Sequence, residues 1–429
     1  MSNVPKDPQL DSTLSILSDG YTFIERRSRE YHSDIFETRI LGEKAVGLHG
    51  QEAARFFYDT DRFKREGATP KRIQKTLFGE NGVQSLDGEA HQHRKEAFMS
   101  LMNRETVSNF MALLSEQWKI YLLKWEQMEK VLLFEESRNI LCRAACKWAG
   151  VPLREDEVVK RGKELIEMID AFGGVGLRNL QGRVARSKTE KWIGSLVEQV
   201  RAGEIPVKKG SALEVFSFHR DLEGKLLDTR IAAVEVLNII RPLVAITWFN
   251  NFLALALYQY PQYREKLQNG GDAELENFVQ EVRRFYPFTP FLGARARYEF
   301  EWKGYQFSKD QLVLLDIYGT NRDERQWERA EVFWPERFQN RENDKYGFIP
   351  QGGGDFGINH RCAGEWITIG AMKVALEYLV NRMEYDVPEQ DLSYDLSRMP
   401  AGPKSGMIIA KVKTVSQKAA SKNLQNKVE

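Results

Sequence analysis

The sequence predicts a mainly α fold with a small antiparallel β region, built as one domain over residues 1–415 and followed by a flexible polar tail at 416–429. Three observations predict it. Long stretches return an apolar residue every three or four positions, the period of a helix packed on one side. Strand-like alternation is confined to two short stretches. Those stretches do not alternate with helices along the chain, as a doubly wound parallel sheet would require.

Taken in order, residues 38–48 alternate and read as a strand ending near Gly50. Residues 105–125 (ETVSNFMALLSEQWKIYLLKW), 155–172, 188–201 and 230–258 carry the helical period. Between them, 204–211 (EIPVKKGS) is the best loop candidate, yet the helices on either side look like parts of one core. Residues 298–315 alternate again, and Lys303-Gly304 marks a hairpin turn within them. After Ala410 the pattern decays into a lysine-rich polar tail. No repeat of fixed period is present.

Charge and composition exclude several classes. Lys plus Arg number 62 against 61 Asp plus Glu, a net charge of +1, too balanced for a nucleic-acid surface. A hydrophobic share of 42% with 11% aromatics is too rich for a disordered chain. No apolar run reaches the roughly 18 residues of a membrane span; the longest, 243–258, is interrupted by Asn250 and Asn251. The first residues (MSNVPKDPQLDSTL) do not read as a signal peptide, and three cysteines make no disulfide framework. A cytoplasmic, reducing setting is the expectation.

The most informative stretch is QGGGDFGINHRCAGE, residues 351–365. A glycine-rich loop leads to Cys362, and a helical pattern starts at once, which favours a thiolate near free helix N–H groups. His360 and Arg361 add positive charge, and the glycines let the backbone approach something flat. A thiolate so held suits one metal bond. Gly352-x-Gly354-x-x-Gly357 also matches a dinucleotide fingerprint, but no strand precedes it, and Asp355-Phe356-Gly357 has no kinase companions. Cys142 and Cys146 lie four apart on an apolar helix without a third ligand and read as core.

This loop resembles that of the cytochrome P450 haem-thiolate enzymes. Glu281-Val282-Arg283-Arg284 matches their Glu-x-x-Arg motif and Pro335-Glu336-Arg337-Phe338 their Pro-Glu-Arg-Phe element, in the same order. The resemblance implies the P450 fold, with haem b between a long central helix and the cysteine-bearing one, and Cys362 as its axial thiolate. The domain over 1–415 would then be a single haem-thiolate catalytic domain.

In that central helix most haem-thiolate monooxygenases place an acid followed by Thr. Here stands Arg241-Pro242. An unpaired guanidinium between LNII and PLVAI costs several kcal/mol, and Arg cannot shed its proton. Glu235 is six residues away on another face, so the anion is expected from a distant carboxylate, a haem propionate or outside the protein. Pro242 removes a backbone donor and opens the helix beside the arginine.

Arg-Pro here, with Gln-Gly-Gly-Gly before the cysteine, resembles the bacterial fatty-acid peroxygenase branch over about residues 10–410. In that branch the arginine holds the substrate carboxylate, which does the acid–base work on hydrogen peroxide. The resemblance implies α- and β-hydroxylation of long-chain fatty acids without a reductase. A dozen methylenes at about 0.8 kcal/mol each supply on the order of 10 kcal/mol before ordering costs, so an apolar channel is needed. By resemblance Leu77, Phe78, Ile169, Phe172, Phe288 and Phe291 line it, although each is also an ordinary core residue.

Gln84 aligns with the loop above the haem. Some members of the branch carry His there, and those that decarboxylate fatty acids to terminal alkenes are among them. Gln has no tunable proton, so hydroxylation is expected to dominate over alkene formation. His91 and Lys95, one turn apart, suit haem propionates, with Arg65, Tyr286 and Arg361 as further contacts by resemblance. The competing expectations are a reductase-dependent monooxygenase, a mainly alkene-forming decarboxylase and a haem-binding sensor without turnover.

Overall fold

The computed structural model describes residues 4–342 and 344–415, so the expected tail at 416–429 lies outside the described residues. The two strongest helical periods fold as Arg104–Trp125 and Thr229–Gln259. Asn103 caps the first, its side chain accepting from the Thr106 N–H at 3.0 Å. Asp228 caps the second, accepting from the Arg230 N–H at 2.8 Å.

Thr229–Gln259 is the central helix, 31 residues long. An 18-residue stretch of it has a mean hydropathy of 1.6, so by length and composition it could cross a membrane, although charged and polar residues interrupt every apolar run as the sequence indicated. Protein covers it instead: helices Leu133–Ala149, Leu177–Arg201 and Glu365–Glu377 pack around it. Asn250 stays inside by donating to Ser137 Oγ at 2.7 Å, and Asn251 by donating to the Thr247 carbonyl at 2.9 Å.

Residues 155–172 fold as a short turn, Glu155–Glu157, and the helix Val158–Asp170. The period at 188–201 is only the second half of Leu177–Arg201. Its first half hid from the pattern because its inward face is small and polar (Gly182, Ala185, Arg186), while Leu177, Leu180 and Val184 point outward.

Among the described residues ten strands form three sheets. They are β1 (Ile35–Ile40), β2 (Glu43–Leu48), β3 (Phe63–Lys64), β4 (Lys130–Leu132), β5 (Phe291–Ala296), β6 (Phe300–Trp302), β7 (Tyr305–Phe307), β8 (Leu312–Asp316), β9 (Met383–Asp386) and β10 (Ile408–Thr414). The expected strand at 38–48 is a hairpin. Its chain reverses at Leu41-Gly42, both with positive φ (53° and 77°), while the alternation runs on across the turn. Lys303-Gly304 turns β6 into β7 as the sequence predicts.

The larger sheet has the order β1-β2-β8-β5-β3 and is antiparallel as expected except at its β2–β8 pair, which is parallel. The chain crosses the helical body between these two strands, so no hairpin geometry dictates their sense. β8 reads as an unbroken apolar run because both faces are covered. Val313 and Leu315 join one hydrophobic cluster, and Leu312 and Leu314 join another. A third cluster fills the helical body and holds Cys142 and Cys146, both buried as core residues. β10 extends past Ala410 to Thr414 and buries Val412, so the polar tail starts later than the residue pattern indicated.

Candidate active site

The cysteine loop rests on a lattice of buried charge. Arg284 donates to both Glu281 carboxylate oxygens at 2.7 Å, and both side chains are fully buried. Glu281 also accepts the Trp334 N–H at 2.8 Å and faces Arg337 at 3.2 Å. Arg284 reaches the Asn321 and Ala330 carbonyls at 3.2 and 3.0 Å. The Glu-x-x-Arg helix, Asp272–Phe285, is thereby locked to the turn Pro335–Phe338. Arg283 extends the lattice, donating to Glu365 Oε1 at 2.5 Å and Gln351 Oε1 at 3.0 Å. Arg361 grips the other Glu365 oxygen at 2.7 Å.

Within this frame Gly352 and Gly354 turn the backbone with φ of 93° and 82°, conformations that side chains resist. The Cys362 N–H donates to the Gln351 carbonyl at 3.1 Å, and Gln351 Nε2 lies 3.7 Å from Sγ. The helix itself begins at Glu365 behind a Gly364 cap, two residues beyond the cysteine. Burial pushes the Cys362 thiol up, and the Gly364 N–H that opposes this does not win. This corrects the expectation that helix geometry alone favours the thiolate. A sulfur so placed becomes anionic when a metal takes the proton's place.

Do these residues fit a haem? From Ala232 to Leu257 the central helix is buried at every position except Pro242, which keeps open surface deep inside the fold. Cys362, Ala363, Gly364, Phe288, Phe291 and Gly293 are likewise only partly covered. Along one edge stand two cations, Arg65 and Lys95, without carboxylate ion pairs among the described residues, and with them the neutral ring of His91. The Arg65 guanidinium lies 4.1 Å over the Phe57 ring and donates only to the Gly293 carbonyl, at 3.0 Å. Lys95 donates to the carbonyls of Asn359 and Arg361 at 2.8 and 2.6 Å, and burial pulls it down to about 8. His91 stacks on His360 at 3.8 Å, and burial, then the charge of His360 and Lys95, pulls it to about 3. A dianionic haem would supply the missing counter-charge, so the residues fit. Arg65, His91 and Lys95 would hold its propionates and Cys362 its iron.

Two expected haem contacts are otherwise engaged. The Tyr286 hydroxyl donates to Gln259 Oε1 at 2.9 Å and its ring stacks on Phe252 at 4.7 Å, within the core at the end of the central helix. Arg361 is committed to Glu365 and the Gly354 carbonyl, with its guanidinium over Phe356 at 4.0 Å. It braces the loop.

Arg241 is buried and makes no hydrogen bond or ion pair among the described residues; its Nε has no partner. Burial pulls it down to about 9, Arg186 adds to the fall, and Cys362 opposes it. It remains a cation at neutral pH. Glu235, the nearest acid on the same helix, accepts instead from Arg94 at 2.8 Å and from the Val83 N–H at 2.9 Å. Phe78 lies beneath the guanidinium, with 5.9 Å from Cζ to the ring centroid. Leu77 and Phe78 belong to one π turn, Gln74–Phe78, whose carbonyls Arg186 holds at 3.0 and 3.4 Å. Phe288 stacks on Phe249 at 4.2 Å; Ile169 lies in the last turn of the helix Val158–Asp170 and Phe172 just beyond it, both against the helical core. Gln84 accepts from Asn238 Nδ2 at 3.2 Å.

Asn238, Arg94, Arg186, Gln351 and Glu365 are the site residues that sequence reasoning missed. Only Glu365 carried a local signal, standing four residues after Arg361.

The Cytochrome P450 family model matches residues 274–408. Among curated proteins, Cytochrome P450 26A1 of Danio rerio is 23% identical over 454 residues, covering 96% of this chain and 89% of its own. Solved structures are nearer. A mutant of Cytochrome P450SP alpha (CYP152B1) is 45% identical with a TM-score of 0.92, covering 95% of this chain and 100% of its own. Cytochrome P450EX alpha (CYP152N1), solved with myristic acid, is 43% identical with a TM-score of 0.94, covering 97% of this chain and 100% of its own. A variant of cytochrome P450 OleT in complex with arachidonic acid is 35% identical with a TM-score of 0.94, covering 97% and 100%.

Proposed function

The chain belongs to the cytochrome P450 family, in its branch of bacterial CYP152 fatty-acid peroxygenases, and from that premise we propose that it hydroxylates long-chain fatty acids at the α and β carbons with hydrogen peroxide. It is a haem-thiolate oxidoreductase, and the haem is type b. The observation that carries the reading is Arg241, a buried cation with no anion among the described residues, near Cys362. A fatty acid supplies that anion, as the myristic and arachidonic acids solved with two relatives suggest.

Held through Cys362, the haem supplies the redox chemistry that activates peroxide, with the thiolate donating electron density. The protein supplies placement and proton control. Arg241 binds the substrate carboxylate, which takes a proton from one peroxide oxygen and returns it to the other, the task of an acid and Thr in other P450 enzymes. Pinning the carboxylate leaves the α and β C–H bonds nearest the oxidising centre, so position selects the carbon. The balance is a fatty acid plus hydrogen peroxide giving a hydroxy acid plus water. The apolar walls around Phe78, Ile169, Phe172 and Phe288 hold the tail and exclude water.

No reductase enters this scheme. Alkene formation, which also releases carbon dioxide, is a minor branch because Gln84 offers no titrating group. The setting proposed is cytoplasmic. Purified holoenzyme incubated with saturated acids of several lengths and peroxide, without NADPH or reductase, tests the reading by mass spectrometry. Accumulation of 2- and 3-hydroxy acids supports it; turnover that depends on a reductase system overturns it.

A further inference from the structure

The side chain of Asn238 occupies a junction. Its Nδ2 donates to Glu235 Oε2 at 3.0 Å and to Gln84 Oε1 at 3.2 Å, while its Oδ1 is buried without a partner. The Glu235 carboxylate can only accept hydrogen bonds, so it dictates that the NH2 end of Asn238 faces it. Glu235 is itself immobile, held by Arg94 and by the Val83 N–H at the head of the turn Val83–Ser85 that carries Gln84. Even the space is fixed, because a Cβ on Gly82 would stand 3.0 Å from Asn238 Nδ2 and 3.2 Å from Gln84 Oε1.

The consequence reaches the active site. With its oxygen turned to Asn238, the Gln84 carboxamide must present its NH2 on the opposite side. That NH2 makes no hydrogen bond to the described residues, and Gln84 retains open surface. Asn238 precedes Arg241 by three residues and so shares its helix face. Resting on the carboxylate-binding reading above, we propose that Asn238, fixed by Glu235, is a positioning residue that turns the Gln84 N–H toward the substrate carboxylate. Arg241 and Gln84 then grip the anion from two sides, and position 84 acts as a donor and not as an acceptor. A carboxylate is matched to two donors; a neutral head group that must itself donate is not.

A double-mutant cycle on the holoenzyme tests this. Gln84→Leu, Asn238→Leu and the double variant are loaded with haem, checked by the thiolate-type spectrum of the carbonyl-bound reduced form, and titrated with a long-chain acid by its spin-state change. Each single variant is expected to weaken binding by roughly tenfold, the value of a hydrogen bond to a charged group. The double variant is expected to be no weaker than Gln84→Leu alone, because Asn238 acts only through Gln84. Asn238→Asp carries the same test should Asn238→Leu not load haem. Its acceptor would turn the carboxamide around, weaken acid binding further, and lose that effect once Gln84 is Leu. Additive losses, or a position 238 variant that binds normally, overturn the inference. If the wild-type protein shows no response to any long-chain acid, the functional reading itself fails, a distinct result.

Discussion

The carboxylate of Glu235 belongs to Arg94, 2.8 Å away, and not to Arg241 further along the same helix. Had Glu235 neutralised Arg241, the central helix would hold a closed internal pair and no anion site. Its commitment elsewhere keeps the second guanidinium available. Arg241→Leu should therefore retain haem and the thiolate-type spectrum while losing at least about a hundredfold in hydroxylation, the scale of a lost charged contact of about 3 kcal/mol. Product quantification against haem content checks this, and near-normal turnover would refute the anchoring role.

Replacing Gln84 with His should raise the alkene share of the products. An imidazole at this position brings a proton that titrates near neutrality, which an amide lacks. The Asn238 N–H would engage one ring nitrogen as acceptor and leave the other as the donor facing the substrate. Gas chromatography of both product classes reads the ratio. An unchanged ratio would show that this position does not govern partitioning.

Glu281 carries Arg284, Arg337 and the Trp334 N–H at once. Glu281→Gln strips the counter-charge from two buried guanidiniums, a loss of about 3–5 kcal/mol against a typical total of about 5–15 kcal/mol. The variant should accumulate poorly and load little haem, and its denaturation midpoint should fall steeply. A midpoint equal to that of the wild type would mean the lattice does not hold the cysteine loop.

A pH-dependent contribution sits at His49, away from the catalytic centre. Its Nδ1 lies 2.9 Å from Asp316 Oδ2 and its Nε2 3.7 Å from Asp323 Oδ2. Burial works against the charged ring, yet the Asp316 hydrogen bond and the charges of Asp316, Asp323 and Glu25 outweigh it, so its pKa rises above 6.5. A raised folded-state value means the stabilisation is complete below about pH 6.5 and fades as the pH climbs through the raised pKa. The Tm gap between wild type and His49→Gln should be wider at pH 6 than at pH 9. An equal or reversed gap would contradict the assignment.

What the sequence disclosed followed from spacing. Glu281 with Arg284, residues 335–338 and the cysteine loop are short motifs whose partners lie close in the chain, and the isolation of Arg241 showed in its apolar neighbours. What stayed hidden depended on contacts across the fold. Arg94 lies 141 residues before Glu235, and nothing local announces their pairing or the junction that it creates at Asn238. Tyr286 stands two residues after the Glu-x-x-Arg motif, but its hydroxyl is taken by Gln259 at the end of the central helix, 27 residues earlier, which only the folded chain brings near. The hairpin at Leu41-Gly42 escaped because a period of two is preserved across it, and the start of the helix Leu177–Arg201 escaped because its packed face is built from small and polar residues.

The most direct measurement compares a long-chain acid with the primary alcohol of equal length, each incubated with peroxide and the wild-type holoenzyme. The two share a tail and differ in the anion alone. The acid should be hydroxylated rapidly and the alcohol turned over little, with the difference collapsing in Arg241→Leu. Equal turnover of acid and alcohol by the wild-type enzyme would contradict this expectation.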